Sequence, residues 1–248
     1  MTEKTFNKLF NSFIIIGMSL SVLVGSYLKL RQGEGNTALL ILSAVGALAG
    51  VISTVLSASG NIYSFVFGLI DVTIYAYALY DSGNPLTFCL HAFYFIPMEF
   101  VGFFMWRKRG AGAKSAVKAR RLKGVGQWLK VFALLIVVFA ACFALSCFAT
   151  SRGWINGGQD TSKIALDALM TTANIVALVL MSLAYYEQWY LWTLVNISSI
   201  ITWSLILKDD PQSTYSIVYL IKYIFYFLNA INGIRIWLKL SKEEITCK

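Results

Sequence analysis

Apolar runs of about twenty residues recur along the whole chain, and this feature decides most of what it can fold into. A helix needs roughly 20 apolar residues to cross a ~30 Å hydrocarbon core. Only helices and closed barrels satisfy their backbone polar groups there. Runs of that length lie near 12–28, 37–56, 61–80, 86–106, 128–148, 164–184, 188–207 and 215–237. Of the 248 residues, 58% are hydrophobic and only 13% are charged, against about 25% charged in a soluble domain. The sequence therefore predicts an all-α polytopic membrane protein with about eight transmembrane helices. The first run follows Lys4 and Lys8 in the manner of a signal peptide, but no small-residue cleavage site follows it, so it reads as a spanning helix.

Basic residues orient the bundle, because short cytoplasmic loops collect Lys and Arg. With eight spans, one side receives Lys4, Lys8, the cluster from Arg107 to Lys130, and Lys239, Lys242 and Lys248. Both termini are thus expected in the cytoplasm of a bacterial cell, with the chain in the inner membrane. The net charge of +9 is mostly this orientation signal; the loop lacks the interleaved aromatics of a nucleic-acid stripe, so no nucleic-acid partner is expected. Cys89, Cys142, Cys147 and Cys247 form no Cys-x-x-Cys pair, and His91 stands alone. Neither a metal site nor a cofactor is expected. No nucleophile elbow, His-Glu-x-x-His or phosphate loop occurs, which argues against an enzyme.

The second half repeats the first. Phe65-Val66-Phe67-Gly68-Leu69-Ile70-Asp71-Val72 aligns with Tyr190-Leu191-Trp192-Thr193-Leu194-Val195-Asn196-Ile197, and both runs lead to short acidic turns at Asp81–Pro85 and Asp209–Pro211. Gly102 and Trp106 then match Gly233 and Trp237. The predicted organisation is an extra N-terminal helix (1–36), a three-helix repeat (37–106), a basic loop with a linking helix (107–149), a second repeat (150–239) and a tail (240–248). Units starting four spans apart share one orientation, so the repeat is parallel, a plan similar to that of the SWEET carriers.

Polar side chains inside spans normally face a bundle interior or a water-filled cavity. Trp189, Trp192 and Asn196 share one face of the seventh span by their i, i+3, i+7 spacing, with Glu187 and Gln188 opening that helix and Trp203 extending the face. Tyr215, Tyr219, Lys222, Tyr226, Asn229 and Gly233 form a stripe on the eighth, flanked by Tyr223 and Asn232. Asp167, Thr171 and Asn174 line the sixth. The first repeat offers Asp71, His91, Tyr94 and Glu99, while Ser43, Gly46, Gly50 and Ser53 suit close helix packing. Lys222 reads equally as a ligand contact and as an ion-pair partner of Asp71 or Glu99. Trp106, Trp128 and Trp237, and by position Trp189 and Tyr215, fit interfacial anchors. Gly68 and Pro97 fit hinges and helix packing equally.

The pattern Trp-x-x-Trp-x-x-x-Asn in Glu187–Asn196 resembles the bacterial nicotinamide riboside transporters of the PnuC family, as do the stretches Asn61–Ile70, Tyr75-Ala76-Tyr77 and Phe95–Trp106. The resemblance implies two three-helix units around a linking helix. It also implies uptake of nicotinamide riboside by facilitated diffusion, trapped afterwards by a cytoplasmic kinase. Under it Trp189 and Trp192 would stack on the pyridinium ring, where a desolvated cation gains about 2 kcal/mol. Asn196 and Gln188 would bond the amide or ribose, with Tyr219, Tyr223, Tyr226 and Asn229 opposite, and Asn174 and Asp71 completing the set. Relatives carry thiamine or riboflavin, and SWEET-like carriers associate into oligomers. A proton-coupled transporter using Asp71, His91 or Glu99, and a scaffold whose polar stripes only join helices, are the alternatives.

Overall fold

The computed structural model describes residues 2–32, 37–81, 85–154, 161–209 and 214–246. Its elements are α1 (Glu3–Gln32), α2 (Thr37–Ala58), α3 (Tyr63–Asp81), α4 (Pro85–Leu90), a π-helical turn (His91–Phe95), α5 (Ile96–Lys108), α6 (Gly124–Ser151), α7 (Thr161–Ser182), α8 (Gln188–Asp209) and α9 (Thr214–Thr246). Among the described residues, eight helices are long and apolar enough to cross a membrane, with α4, the π turn and α5 making one of them. Residues 82–84 and 210–211 of the two acidic turns, the side chain of Tyr215, and Cys247 lie outside the described residues.

The π turn has a local cause. Pro97 lacks an N–H, so the ladder slackens just before it, and Ile96 donates to the carbonyl of His91, five residues back. This irregular turn occurs at membrane depth where its flank faces a cavity, as such backbone must. The linking helix α6 is the opposite case: within its most apolar stretch nothing is buried. It touches α7 and leaves the rest of its surface to lipid. Helix α1 packs against both α2 and α9.

Within the bundle, α2 packs on α3, α8 packs on α9 and α7, and the two sets meet where α2 faces α9 and α5 faces α7. Hydrogen bonds tie these facing pairs. Trp106 Nε1 donates to the Met181 carbonyl at 2.7 Å, and Trp237 Nε1 donates to the Ser57 carbonyl at 3.1 Å. Ser57 and Met181 themselves touch, hydroxyl to sulfur, at 3.7 Å across 124 residues of sequence. Asn229 Nδ2 donates to the Thr54 carbonyl, and the Tyr94 hydroxyl to that of Ile175. Trp106 and Trp237 are fully buried with ring centroids 5.4 Å apart, and Trp189 is 3% exposed. They are therefore core residues and not interfacial anchors: Trp106 and Trp237 reach carbonyls of the opposite helix set, and Trp189 lies edge-on to Trp237. Trp128, 37% exposed, keeps an anchor's position.

The turns after α2 and α7 correspond bond for bond at that same separation. Gly60 donates to Ser57 and Asn61 to Leu56; Ala184 donates to Met181 and Tyr185 to Leu180. Gly60 and Ala184 both have positive φ, 68° and 60°. These bonds set Phe65 opposite Trp189, one residue off the sequence alignment of Phe65 with Tyr190. The reason is that apolar matching scores aromatic neighbours alike, whereas a turn fixes register. The basic loop then straps both turns. Val117 donates to the Gly60 carbonyl at 2.9 Å, and Arg120 donates to that of Ala184 at 2.7 Å while accepting from Tyr186. Leu122 donates its N–H to Glu187 Oε1. Val117 and Ala119 are buried beneath the strap, so this loop seals one end of the bundle, called the basic end below.

Candidate functional site

Between the two helix sets lies a cavity of about 610 Å³, within the range of sites that enclose small organic molecules. Its floor, next to the basic end, is made by Ser57, Met181, Trp189 and Ala230, and it extends along the helices to His91, Thr202 and Trp203. From α2 come Gly50, Ser53 and Thr54; from α3, Gly68 and Asp71; and His91, Phe95 and Glu99 come from the kinked helix, one turn apart. The other set supplies Asn174, Trp192, Asn196, Ser199, Tyr223, Tyr226 and Asn229.

The structure thus brings together Trp189, Trp192, Asn196, Tyr223, Tyr226, Asn229, Asn174 and Asp71. Gln188 and Tyr219 lie outside the lining. Gln188 is fully buried at the first residue of α8, below the floor. Tyr219 stacks on Trp203, with ring centroids 4.5 Å apart and planes 12° apart, and Trp203 takes the wall position in its place. Lys222 is not in the lining either; its Nζ sits 5.3 Å and 5.8 Å from the Tyr226 and Tyr219 ring centroids. The half built on α2, α3 and α5 contributes more than its plainer sequence suggests. Glycines hide its role, because what they contribute is an approach.

Two such approaches set the acidic groups. A Cβ on Gly50 would collide with the Asp71 carboxyl group, and one on Gly68 would lie 2.7 Å from Glu99 Oε2. Each carboxyl is seated in a notch of the neighbouring helix. A third notch is Gly233, where a Cβ would lie 2.6 Å from the Trp189 ring, so α9 forms the plate against which that indole rests. Gly46, by contrast, accepts Ile74, which is plain packing.

Two of the residues around the cavity keep unused hydrogen-bonding groups. Trp189 Nε1 and Asn229 Oδ1 are buried without a partner among the described residues, although buried polar groups are nearly always paired. Asn229 uses its Nδ2 on Thr54, which leaves the acceptor side free to read a donor. Asn174 donates to its own helix at Met170. Among the described residues, no lysine or arginine is in the lining, and no group of His, Cys, Asp and Glu could hold a metal ion.

Comparison with known proteins bears on this arrangement directly. Residues 40–239 match the family model described as nicotinamide mononucleotide transporter. A Neisseria mucosa protein named nicotinamide riboside transporter PnuC is 35% identical over 207 residues, covering 82% of this chain and 74% of that protein. The chain belongs to the PnuC family. The Haemophilus influenzae PnuC is 32% identical over 82% of this chain and 81% of its own, and the Escherichia coli PnuC is 27% identical over 86% and 91%. A crystal structure of the vitamin B3 transporter PnuC superposes with a TM-score of 0.65 at 30% identity, covering 93% of this chain and 92% of that one. A PnuC-family chain is a multi-pass transporter, so the cavity is read as a solute site.

Proposed function

We propose that this chain carries nicotinamide riboside across the bacterial inner membrane by facilitated diffusion. The observation that carries the choice of solute is the cavity's charge and ring content. Asp71 and Glu99 face it, Trp189, Trp192 and Trp203 line it, and no cationic side chain does. A pyridinium cation gains from both carboxyl groups and aromatic faces. A mononucleotide would bring a phosphate to a wall with no arginine or lysine to receive it. The relatives' name, nicotinamide riboside transporter, supports the same choice over the family model's mononucleotide.

The ring stacks on Trp192 and Trp189, Asn196 and the free Asn229 oxygen take the carboxamide and ribose, and Asp71 and Glu99 balance the charge. The two three-helix units rock about the shared cavity in the manner of parallel-repeat carriers. The basic end faces the cytoplasm by the positive-inside bias, which puts both termini there. A cytoplasmic kinase would then trap the solute as a phosphate ester that this cavity does not accept. Association into a homo-oligomer would leave this scheme unchanged, since each bundle holds a complete cavity.

Purified protein in sealed vesicles tests the reading. Labelled nicotinamide riboside should equilibrate without ATP or a pH gradient, and nicotinamide mononucleotide should neither enter nor compete. Trp192→Ala and Asn196→Ala should lose binding while remaining folded. Accumulation above equilibrium driven by a pH gradient would replace this reading with proton coupling through Asp71, His91 or Glu99. Tighter calorimetric binding of thiamine would reassign the solute within the family.

A further inference from the structure

The cavity is longer than the solute proposed for it. Trp192 and Trp203 both line it and stand eleven residues apart on α8. That is three turns, so the two indoles share one face with roughly 16 Å of helix between them. Nicotinamide riboside measures about 10 Å from carboxamide to ribose at ordinary bond lengths. One ring therefore cannot stack on both.

Depth in the bundle can be counted from the floor, where Trp106, Trp237 and Trp189 pack together. Trp203 lies fourteen residues beyond Trp189, and His91 fifteen residues before Trp106 on the kinked helix. Both are thus about 21 Å from the floor, and both line the cavity at that level with Thr202. Their rings are held in place. Tyr219 stacks on Trp203, centroids 4.5 Å and planes 12° apart, and is itself outside the lining, so it backs the indole and leaves the other face to the cavity. The His91 ring meets Tyr75 at 4.9 Å and Phe95 at 4.8 Å. A braced indole over an open cavity is a platform for a planar heteroaromatic ring.

Charge differs between the two levels. Asp71 follows Phe65 by six residues and Glu99 precedes Trp106 by seven, which puts both carboxyl groups about 10 Å from the floor, level with Asn196 and two turns deeper than Trp203. Among the described residues the outer level has no carboxylate in its lining, and Lys222 Nζ lies behind its wall, 5.8 Å from the Tyr219 centroid. A cationic ring is held at Trp203 by an aromatic face alone, and at Trp192 by a face and by charge. Affinity rises inward.

We propose that the cavity holds two stacking stations in series: Trp203, backed by Tyr219 and level with His91, first takes the planar heteroaromatic ring of the solute, which then passes inward to Trp192. The ligand class and the direction of travel rest on the reading of the chain as a nicotinamide riboside carrier with its basic end in the cytoplasm.

The test uses the purified full chain in nanodiscs, labelled with 5-fluorotryptophan, so that fluorine NMR reports each of the seven tryptophans separately once Trp→Phe variants assign the lines. Titrated nicotinamide riboside should shift the Trp192 line first and the Trp203 line in a separate step at about tenfold higher concentration. The Trp203 step should persist in Trp192→Ala. Initial uptake at sub-saturating solute should fall about fivefold in Trp203→Leu and be largely restored in Trp203→Phe, which keeps a ring against Tyr219. A Trp203 line that stays still, moves in one step with Trp192, or no longer responds in Trp192→Ala would overturn the outer station and leave Trp192 as the solute site. If neither line moves, the reading of the solute falls and the station with it.

Discussion

A methyl group on Gly68 gives a sharp test of how the cavity is built. The added carbon would lie 2.7 Å from Glu99 Oε2 and 2.9 Å from both Oε1 and Cδ. Carbon reaches comfortable contact only near 3.5 Å, so the carboxyl must withdraw by roughly 0.8 Å. Glu99 is 8% exposed, and the open space beside it is the cavity it lines. The displaced atoms are the end of a flexible side chain, so Gly68→Ala should cost less than about 1 kcal/mol of stability. Affinity responds differently. The carboxyl retreats into the cavity and takes space the solute needs, and at an effective dielectric of 20 a mismatch of about 0.8 Å in a cation–carboxylate separation near 4 Å is worth about 0.7 kcal/mol, roughly threefold in Kd. Calorimetric titration with nicotinamide riboside should therefore show at least a threefold loss with a nearly unchanged unfolding midpoint. The double variant Gly68→Ala/Glu99→Ala should bind no worse than Glu99→Ala alone, because the methyl then has nothing to displace. Wild-type affinity in Gly68→Ala, or additive losses in the double variant, would refute the seating of Glu99 as a solute-facing device.

Gly102→Ala sets the contrast: its Cβ would collide with the buried Phe65 ring, which is held edge-on to Trp106 at 4.8 Å, so thermal unfolding should show a loss of about 1–3 kcal/mol. Trp106→Phe and Trp237→Phe each remove a buried hydrogen bond to a carbonyl, at Met181 and Ser57, that still accepts from its own turn, and should each cost about 0.5–1.5 kcal/mol in the same assay. Trp189→Phe removes an indole N–H that has no partner among the described residues; solute affinity should fall up to about tenfold while stability holds or rises.

Most of the bundle was legible in the sequence because hydropathy is a one-dimensional signal. The existence of the eight spans follows from local patterns. The cavity was half legible. Side chains that advertise themselves, such as Trp192, Asn196 and Asn229, are in its wall, but Gly50 and Gly68 act by what they lack, and their partners Asp71 and Glu99 belong to other helices. The tryptophans at span ends show the limit of position as evidence. Trp106 and Trp128 both look like anchors in sequence, and only the carbonyl of Met181, on a helix 75 residues away, makes the first a core residue. The basic loop was read for its charge, whereas its structural work is done by the backbone amides of Val117, Arg120 and Leu122, which any sequence carries.

Gln188 brings these strands together. The sequence pattern made it a solute ligand, yet it is fully buried below the cavity floor, with Oε1 and Nε2 both unpartnered among the described residues. The hydroxyls of Ser64 and Ser182 and Glu187 Oε2 are orphaned too, all within the strapped turns or beside them. Each such group costs about 1–3 kcal/mol where it is dry, and each recovers that when water reaches it. The basic end is held by the indole-to-carbonyl bonds of Trp106 and Trp237, with these polar groups beside them. Were this end to open during transport, wetting such groups would lower the cost of opening, and alternating access requires two states within a few kcal/mol. Gln188→Leu removes two orphaned atoms at similar volume and should raise the unfolding midpoint while slowing net uptake, with solute affinity in the closed form unchanged. A loss of affinity would return Gln188 to the ligand set, and a lower midpoint with faster uptake would show that its amide holds the gate shut.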